Sequence, residues 1–137
     1  MKKRIKKPKK PSVAKLKKLA WKLFSIYIRS KDADWNGMVH CYTCSWYGPW
    51  RRLQAGHFVP GRGNAILFEE KGVFPQCWVC NIRKHGNTLV YMDNLIRDFG
   101  KKRVNYLRGK ALEIKQFDVA ELEALILTLK KKIKVKI

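Results

Sequence analysis

Acidic side chains are scarce in this sequence of 137 residues: 10 Asp and Glu stand against 31 Lys and Arg, for a formal net charge of +21. That exceeds what solubility requires, and its sign makes an acidic substrate or surface, above all a phosphate polymer, the default partner. Long apolar runs are missing too. No stretch approaches eighteen apolar residues, and the start MKKRIKKPKK leads into a segment interrupted by lysine. Neither a membrane span nor a secretory signal is expected, and the protein reads as intracellular. No internal repeat is present. Cysteine is limited to Cys41, Cys44, Cys77 and Cys80. An intracellular setting keeps unligated thiols reduced, so these four point to metal rather than to disulfides.

What is present suits one globular domain, since 46% of the residues are hydrophobic and the length supports a modest core. Residues 1–11 hold seven basic residues, two prolines and one aliphatic side chain, Ile5. They are expected to form a disordered basic arm. Five more lysines close the chain in KKKIKVKI, and setting both ends aside leaves about +9 for the body. The domain is expected over 12–134. Ser12 can cap a helix over about 12–31, in which Leu16, Leu19, Ala20, Leu23, Phe24, Tyr27 and Ile28 recur at three and four. Small strands and a loop follow between Val39 and Gln76, with Leu53–Val59 and Val73–Gln76 the clearest apolar runs. A helix is expected to start at Cys77 or Trp78 within a core over about 39–87. C-terminal helices fill about 88–134: Leu89–Phe99 ended by Gly100, then Lys102–Leu112, then one opened by Asp118 and Glu121 and reaching about Ile133.

The cysteines form two C-x-x-C pairs. Each closes two thiolates on one metal through a tight turn, and together they complete a four-sulfur tetrahedral shell, which suits one structural zinc per chain and leaves no open position for catalysis. His40, beside Cys41, could serve as a spare ligand but reads better as solvated or as a neighbour of the shell. The residues that a zinc staple would position are His57, at a strand end before Pro60-Gly61-Arg62-Gly63, and Asn81, directly after Cys80. An imidazole can take a proton from water near neutral pH, and an amide oxygen can hold a hard divalent cation beside a phosphate. The bland alternatives are a satisfied strand histidine and a capping asparagine.

The order C-x-x-C, strand-end His, C-x-x-C-Asn resembles the zinc-bound His-Me finger (HNH, ββα-metal) nucleases and is similar to phage endonuclease VII. A closer resemblance is to the phage NinG/Rap family of recombination endonucleases. It is carried by Phe24-Ser25-Ile26-Tyr27-Ile28-Arg29, Cys41-Tyr42-Thr43-Cys44, Gln54-Ala55-Gly56-His57-Phe58 and Gln76-Cys77-Trp78-Val79-Cys80-Asn81, with Gly86-Asn87, Tyr91 and Phe99-Gly100 in the same pattern. The resemblance implies an α+β fold, a small zinc-stapled ββα-metal core flanked by N- and C-terminal helices. It implies a divalent-metal-dependent DNA endonuclease acting on branched recombination intermediates, a Holliday junction resolvase in the host cytoplasm if phage-encoded. His57 is then the general base and Asn81 the ligand of a Mg2+ or Mn2+ ion, with His85, four residues on and on the same helical face, a further candidate ligand or else a phosphate contact. Two positions depart from the pattern: Gly56 stands where many relatives carry an aspartate ligand, and Gly72 where an asparagine usually holds the histidine's loop. Another group must orient His57.

Arg51, Arg52, Arg62, Arg83 and Lys84 cluster in sequence around these elements as candidate DNA contacts, with a solvated basic face as the alternative. Trp46, Tyr47 and Trp50 can stack on unpaired bases or pack over the zinc knuckle. The apolar stripes of the first and last helices are core unless one stays exposed, in which case it would form a homodimer matching paired cuts at a junction. The competing functions are a non-catalytic zinc-stapled nucleic-acid-binding module and a structural protein of a nucleic-acid assembly. Charge and zinc serve all three, and only His57 with Asn81 separates the first.

Overall fold

A computed structural model of the chain describes residues 2–136. Met1 of the basic arm and Ile137 of the lysine-rich tail lie outside them. Residues 2–11 carry no regular structure and are exposed. Helix α1 (Val13–Ser30) begins where Ser12 Oγ accepts from the Lys15 N–H at 3.2 Å, satisfying one of the donors that a helix start leaves without a partner. Its buried residues Leu16, Ala20, Phe24 and Ile28 follow at intervals of four, a single stripe with the lysines turned outward.

That stripe packs on the last helix, α5 (Val119–Lys136), which opens at Asp118, whose Oδ1 accepts from the Glu121 N–H at 2.8 Å. Leu16 and Ala20 meet Leu122 and Ile126, while Phe24 and Ile28 meet Leu129. The helices therefore lie side by side in the same direction. Over these residues the two stripes bury one another, while Leu19 and Leu127 stay exposed.

Two small antiparallel sheets sit against α1. In the first, β1 (Met38–His40) pairs with β2 (Tyr47–Pro49), with His40 opposite Tyr47, so the turn between them carries Cys41 and Cys44. In the second, β3 (Gln54–His57) pairs with β4 (Val73–Gln76), with Gln54 opposite Gln76 and His57 opposite Val73. The connection between β3 and β4 includes a short helix, α2 (Asn64–Leu67), where the sequence reading had only a loop. Helices α3 (Thr88–Phe99) and α4 (Lys101–Ala111) follow. They turn at Gly100, whose φ of 87° lies in the left-handed region that favours glycine. Their apolar faces enclose Tyr91, Leu95, Val104 and Leu107 against Phe58. The observed fold is thus α+β, a set of helices around two two-stranded sheets. Among the described residues no helix is long and apolar enough to cross a membrane.

The helix expected from Cys77 is a single wide turn. Over Val79–Arg83 the backbone is π-helical, and the Lys84 N–H reaches the Val79 carbonyl at 2.9 Å. His85, Gly86 and Asn87 then take φ values of 49°, 94° and 48°. Three successive left-handed residues cannot continue a right-handed helix, and the turn ends before α3. His85 therefore does not share a helical face with Asn81.

Candidate functional site

The turns of the two C-x-x-C pairs bring Cys41, Cys44, Cys77 and Cys80 together, with all four sulfurs within 4.8 Å of one another. Sulfurs placed about 2.3 Å from a tetrahedral centre stand about 3.8 Å apart, and Cys44 Sγ lies 3.6 Å from Cys77 Sγ. Four thiols with no oxygen or imidazole among them form a candidate metal site consistent with structural zinc. Backbone N–H groups favour the thiolate form here, against burial, which pushes Cys44 up to about 12 and raises Cys77. The Cys77 N–H points at Cys41 Sγ at 3.3 Å, the Trp46 N–H at Cys44 Sγ at 3.4 Å and the Cys80 N–H at Cys77 Sγ at 3.5 Å. Burial raises the Cys41 thiol, but N–H donation from Cys77 and Thr43 outweighs it and brings the group below its ordinary value. His40 is not among these ligands; its ring packs against Tyr47 at 4.5 Å.

Trp46 and Trp50 pack over this cluster. The Trp46 ring also lies across Gly48, where an added Cβ would stand 2.3 Å from it. Tyr47 is half-exposed and donates its hydroxyl to Asp34. Of the three aromatic residues, two serve the knuckle and one faces outward.

Beside the cysteines opens a cleft of about 640 Å³, and His57, Asn81, His85 and Arg62 all line it. His57 ends β3, with its Nε2 3.0 Å from the Leu67 carbonyl at the end of α2. A carbonyl only accepts, so in that contact the neutral imidazole carries its proton on Nε2 and keeps its Nδ1 lone pair. Trp21 of α1 stacks on the ring, with centroids 5.3 Å apart and planes at 19°. Leu67 and Trp21 thus do the orienting for which Gly72 offers no side chain. A Cβ at Gly72 would stand 2.6 Å from Leu107 Cδ2, so the packing of α4 keeps that position bare. Burial depresses the His57 pKa; the Leu67 contact opposes this and the Arg62 charge adds to it, for a net value below the ordinary one.

Asn81 reaches the cleft from the π-helical turn, whose position the preceding cysteines set. Its Nδ2 donates to Gln54 Oε1 at 2.7 Å, which leaves Oδ1 as the acceptor. His85 is exposed on the following turn. Position 56 has no room for an aspartate side chain: a Cβ on Gly56 would stand 1.8 Å from Gln76 Oε1. Gln76 is fully buried, and its Nε2 donates to Thr43 Oγ1 at 3.0 Å and to the Gly86 carbonyl at 2.9 Å. It ties the cysteine cluster to the turn that borders the cleft.

Of the five basic candidates, Arg62 alone lines the cleft. Arg51, Arg52, Arg83 and Lys84 are exposed, with Arg51 lying 4.4 Å from the Trp50 ring centroid. Sequence reasoning missed Trp21, Ser25 and Arg29, which also line the cleft, and Gln54, which holds Asn81. The signal for the first three was a second stripe on α1, displaced by one residue from the apolar one and carrying an indole, a hydroxyl and a guanidinium.

The family model described as "Bacteriophage Lambda NinG protein" matches residues 1–136. "Protein ninG" of Escherichia phage 933W is 28% identical over 93 residues, covering 67% of this chain and 44% of that protein. "Protein ninG" of Escherichia phage lambda is 28% identical over 93 residues, covering 67% of this chain and 43% of that protein. The match spans less than half the length of these curated relatives. No solved structure matches.

Proposed function

The chain belongs to the NinG family of phage lambda, and from that premise and the cleft's geometry we propose that it is a divalent-metal-dependent DNA endonuclease acting on branched recombination intermediates, Holliday junctions foremost. The observation that carries the reading is the meeting of His57 and Asn81 in one cleft, each fixed on one side by a hydrogen bond and each keeping an acceptor. A capping asparagine or a satisfied core histidine would not require that arrangement.

In this reading the four cysteines hold one structural zinc, and β3, β4 and the turn bearing Asn81 correspond to a ββα-metal core stapled by it. His57 Nδ1 accepts the proton of the attacking water. The Leu67 carbonyl and the Trp21 ring keep the imidazole in place as it becomes charged. Asn81 Oδ1 is a hard oxygen donor suited to Mg2+ or Mn2+, with His85 close by on the next turn. The cleft lining has no carboxylate, so water and DNA phosphate would complete the ion's ligands. Such an ion, when bound, stabilises the charge on the phosphate and the leaving oxygen. The depressed His57 pKa keeps the base neutral at physiological pH.

The test is cleavage of a synthetic four-way junction and of a linear duplex by the purified chain, with and without magnesium. Magnesium-dependent cutting of the junction supports the reading. Binding to either substrate with no cleavage under magnesium or manganese replaces it with the zinc-stapled binding module.

A further inference from the structure

The cleft contains groups that proton transfer and ion binding do not use. Trp21, Ser25 and Arg29 follow one another at intervals of four on α1 and all line it, so they form one straight wall. Arg29 is held there. Its Nε donates to the Ser25 carbonyl at 3.1 Å and to Ser25 Oγ at 3.0 Å, and its guanidinium lies 5.2 Å from the centroid of Trp50, a ring that Arg51 also covers. Burial, and after it the charge of Arg51, works against the Arg29 cation. At the other end of the wall the Arg62 guanidinium rests 4.1 Å from the Trp21 ring centroid.

No carboxylate answers either arginine. The ion pairs of the described residues involve neither of them, and Asp and Glu are missing from the cleft lining. Two guanidiniums braced by aromatic rings, with N–H groups left over and no acid in reach, are prepared for an anion that accepts from a planar fork, which is phosphate. The Arg29 side chain folds back on Ser25, which lies about one helical turn from Trp21, about 6 Å along the axis. Successive phosphates of one strand advance about 3.4 Å along a duplex, so the two arginines span more than one phosphate.

We propose that Arg29 and Arg62 form a phosphate clamp that lays one DNA strand lengthwise along α1, gripping phosphodiesters on either side of the one that faces His57. The identity of that central phosphate rests on the nuclease reading; the clamp does not. Arg51, Arg52, Arg83 and Lys84 then serve the outer rim, and α1 sets the direction in which the strand crosses the site.

The experiment is fluorescence anisotropy of a labelled four-way junction against salt, without added divalent ion, for the full chain and for Arg29→Gln, Arg29→Lys, Arg62→Gln and Lys102→Gln. Lys102 is exposed on α4 and outside the cleft, so it reports on general loss of charge. Each clamp variant to Gln should make the log-log salt slope shallower by about 0.9, so that a fourfold rise in salt costs it about 3.5-fold less affinity than it costs the wild type. Arg29→Lys and Lys102→Gln should keep the wild-type slope. Arg29→Gln should melt no lower than wild type, because it removes a half-buried charge beside Arg51. Unchanged slopes in folded Arg29→Gln and Arg62→Gln overturn the clamp, as does a lowered melting point of Arg29→Gln with its slope intact, which makes Arg29 structural. Shallower slopes with a wild type that cuts nothing keep the clamp and remove the nuclease reading; unchanged slopes with a wild type that cuts do the reverse.

Discussion

The cysteine cluster and the cleft lie side by side and are built on opposite terms. Around the sulfurs the surrounding groups turn inward: N–H groups of Cys77, Trp46 and Cys80 aim at sulfur, and Trp46 and Trp50 pack against the cluster, with Cys44 at the surface. In the cleft each important side chain is satisfied on one side only. His57 is held through Nε2, Asn81 through Nδ2 and Arg29 through Nε, and the other face of each is left for a ligand. A closed centre gives stability, whereas half-satisfied polar groups keep a site ready for a visitor at some cost in stability. Gln76 joins the two regions, bonded to Thr43 on one side and to Gly86 on the other.

This contrast breaks most completely at the closed end. Cys77→Ser, or removal of zinc, should unfold the knuckle at a cost of order 10 kcal/mol, with loss of hydrogen-exchange protection over residues 77–87. Elemental analysis of the wild type should find one zinc per chain, and a folded, metal-free chain would remove the staple from the account.

A smaller effect is expected where the regions join. Gly56→Asp would place a carboxylate next to His57, yet its Cβ would collide with Gln76 Oε1. It should destabilise the fold by about 1–3 kcal/mol through overpacking and should not improve metal affinity; thermal melting and manganese titration check both. Gains in stability and ion binding together would show that Gln76 yields the space easily.

At the open end, Gln54→Ala removes the partner of Asn81 without touching its oxygen. The magnesium concentration for half-maximal cleavage should rise roughly 10- to 100-fold, the range for disturbing a metal's surroundings, with zinc content unchanged. Smallest of all, deleting residues 2–11 should weaken DNA binding and flatten its salt dependence while leaving cleavage at saturating protein intact. An unchanged salt dependence would make the arm a bystander.

What the sequence made legible follows the same division. The C-x-x-C pairs announce their cluster because its ligands come from two local turns, and α1 is readable because Ser12 and a four-residue period act within a few positions. The cleft is assembled from distant pieces. Gln54 and Asn81 are 27 residues apart, and His57 meets Leu67 through a backbone carbonyl, which no side-chain pattern records. Helical propensity ran past Asn81 toward His85, whereas the left-handed backbone of His85, Gly86 and Asn87 ends the turn early, a tertiary override of a local preference. Ser25 and Arg29 fall inside the Phe24–Arg29 segment that carries the family resemblance, but nothing local to α1 ties Trp21, Ser25 and Arg29 to His57.

In the proposed reading His57 is a positioned general base, and the single-turnover rate of junction cleavage against pH, for wild type and His57→Ala, tests that role. Because burial lowers its pKa, the neutral, proton-accepting imidazole predominates at neutral pH and is lost as pH falls through a value below the ordinary one. The wild-type rate should therefore rise with pH about a midpoint below 6.5, the ordinary histidine value. His57→Ala should be roughly 10²- to 10⁴-fold slower, without that rise and with zinc content and DNA affinity unchanged. A His57→Ala protein that cuts the junction at the wild-type rate, with the same pH dependence, would contradict the account.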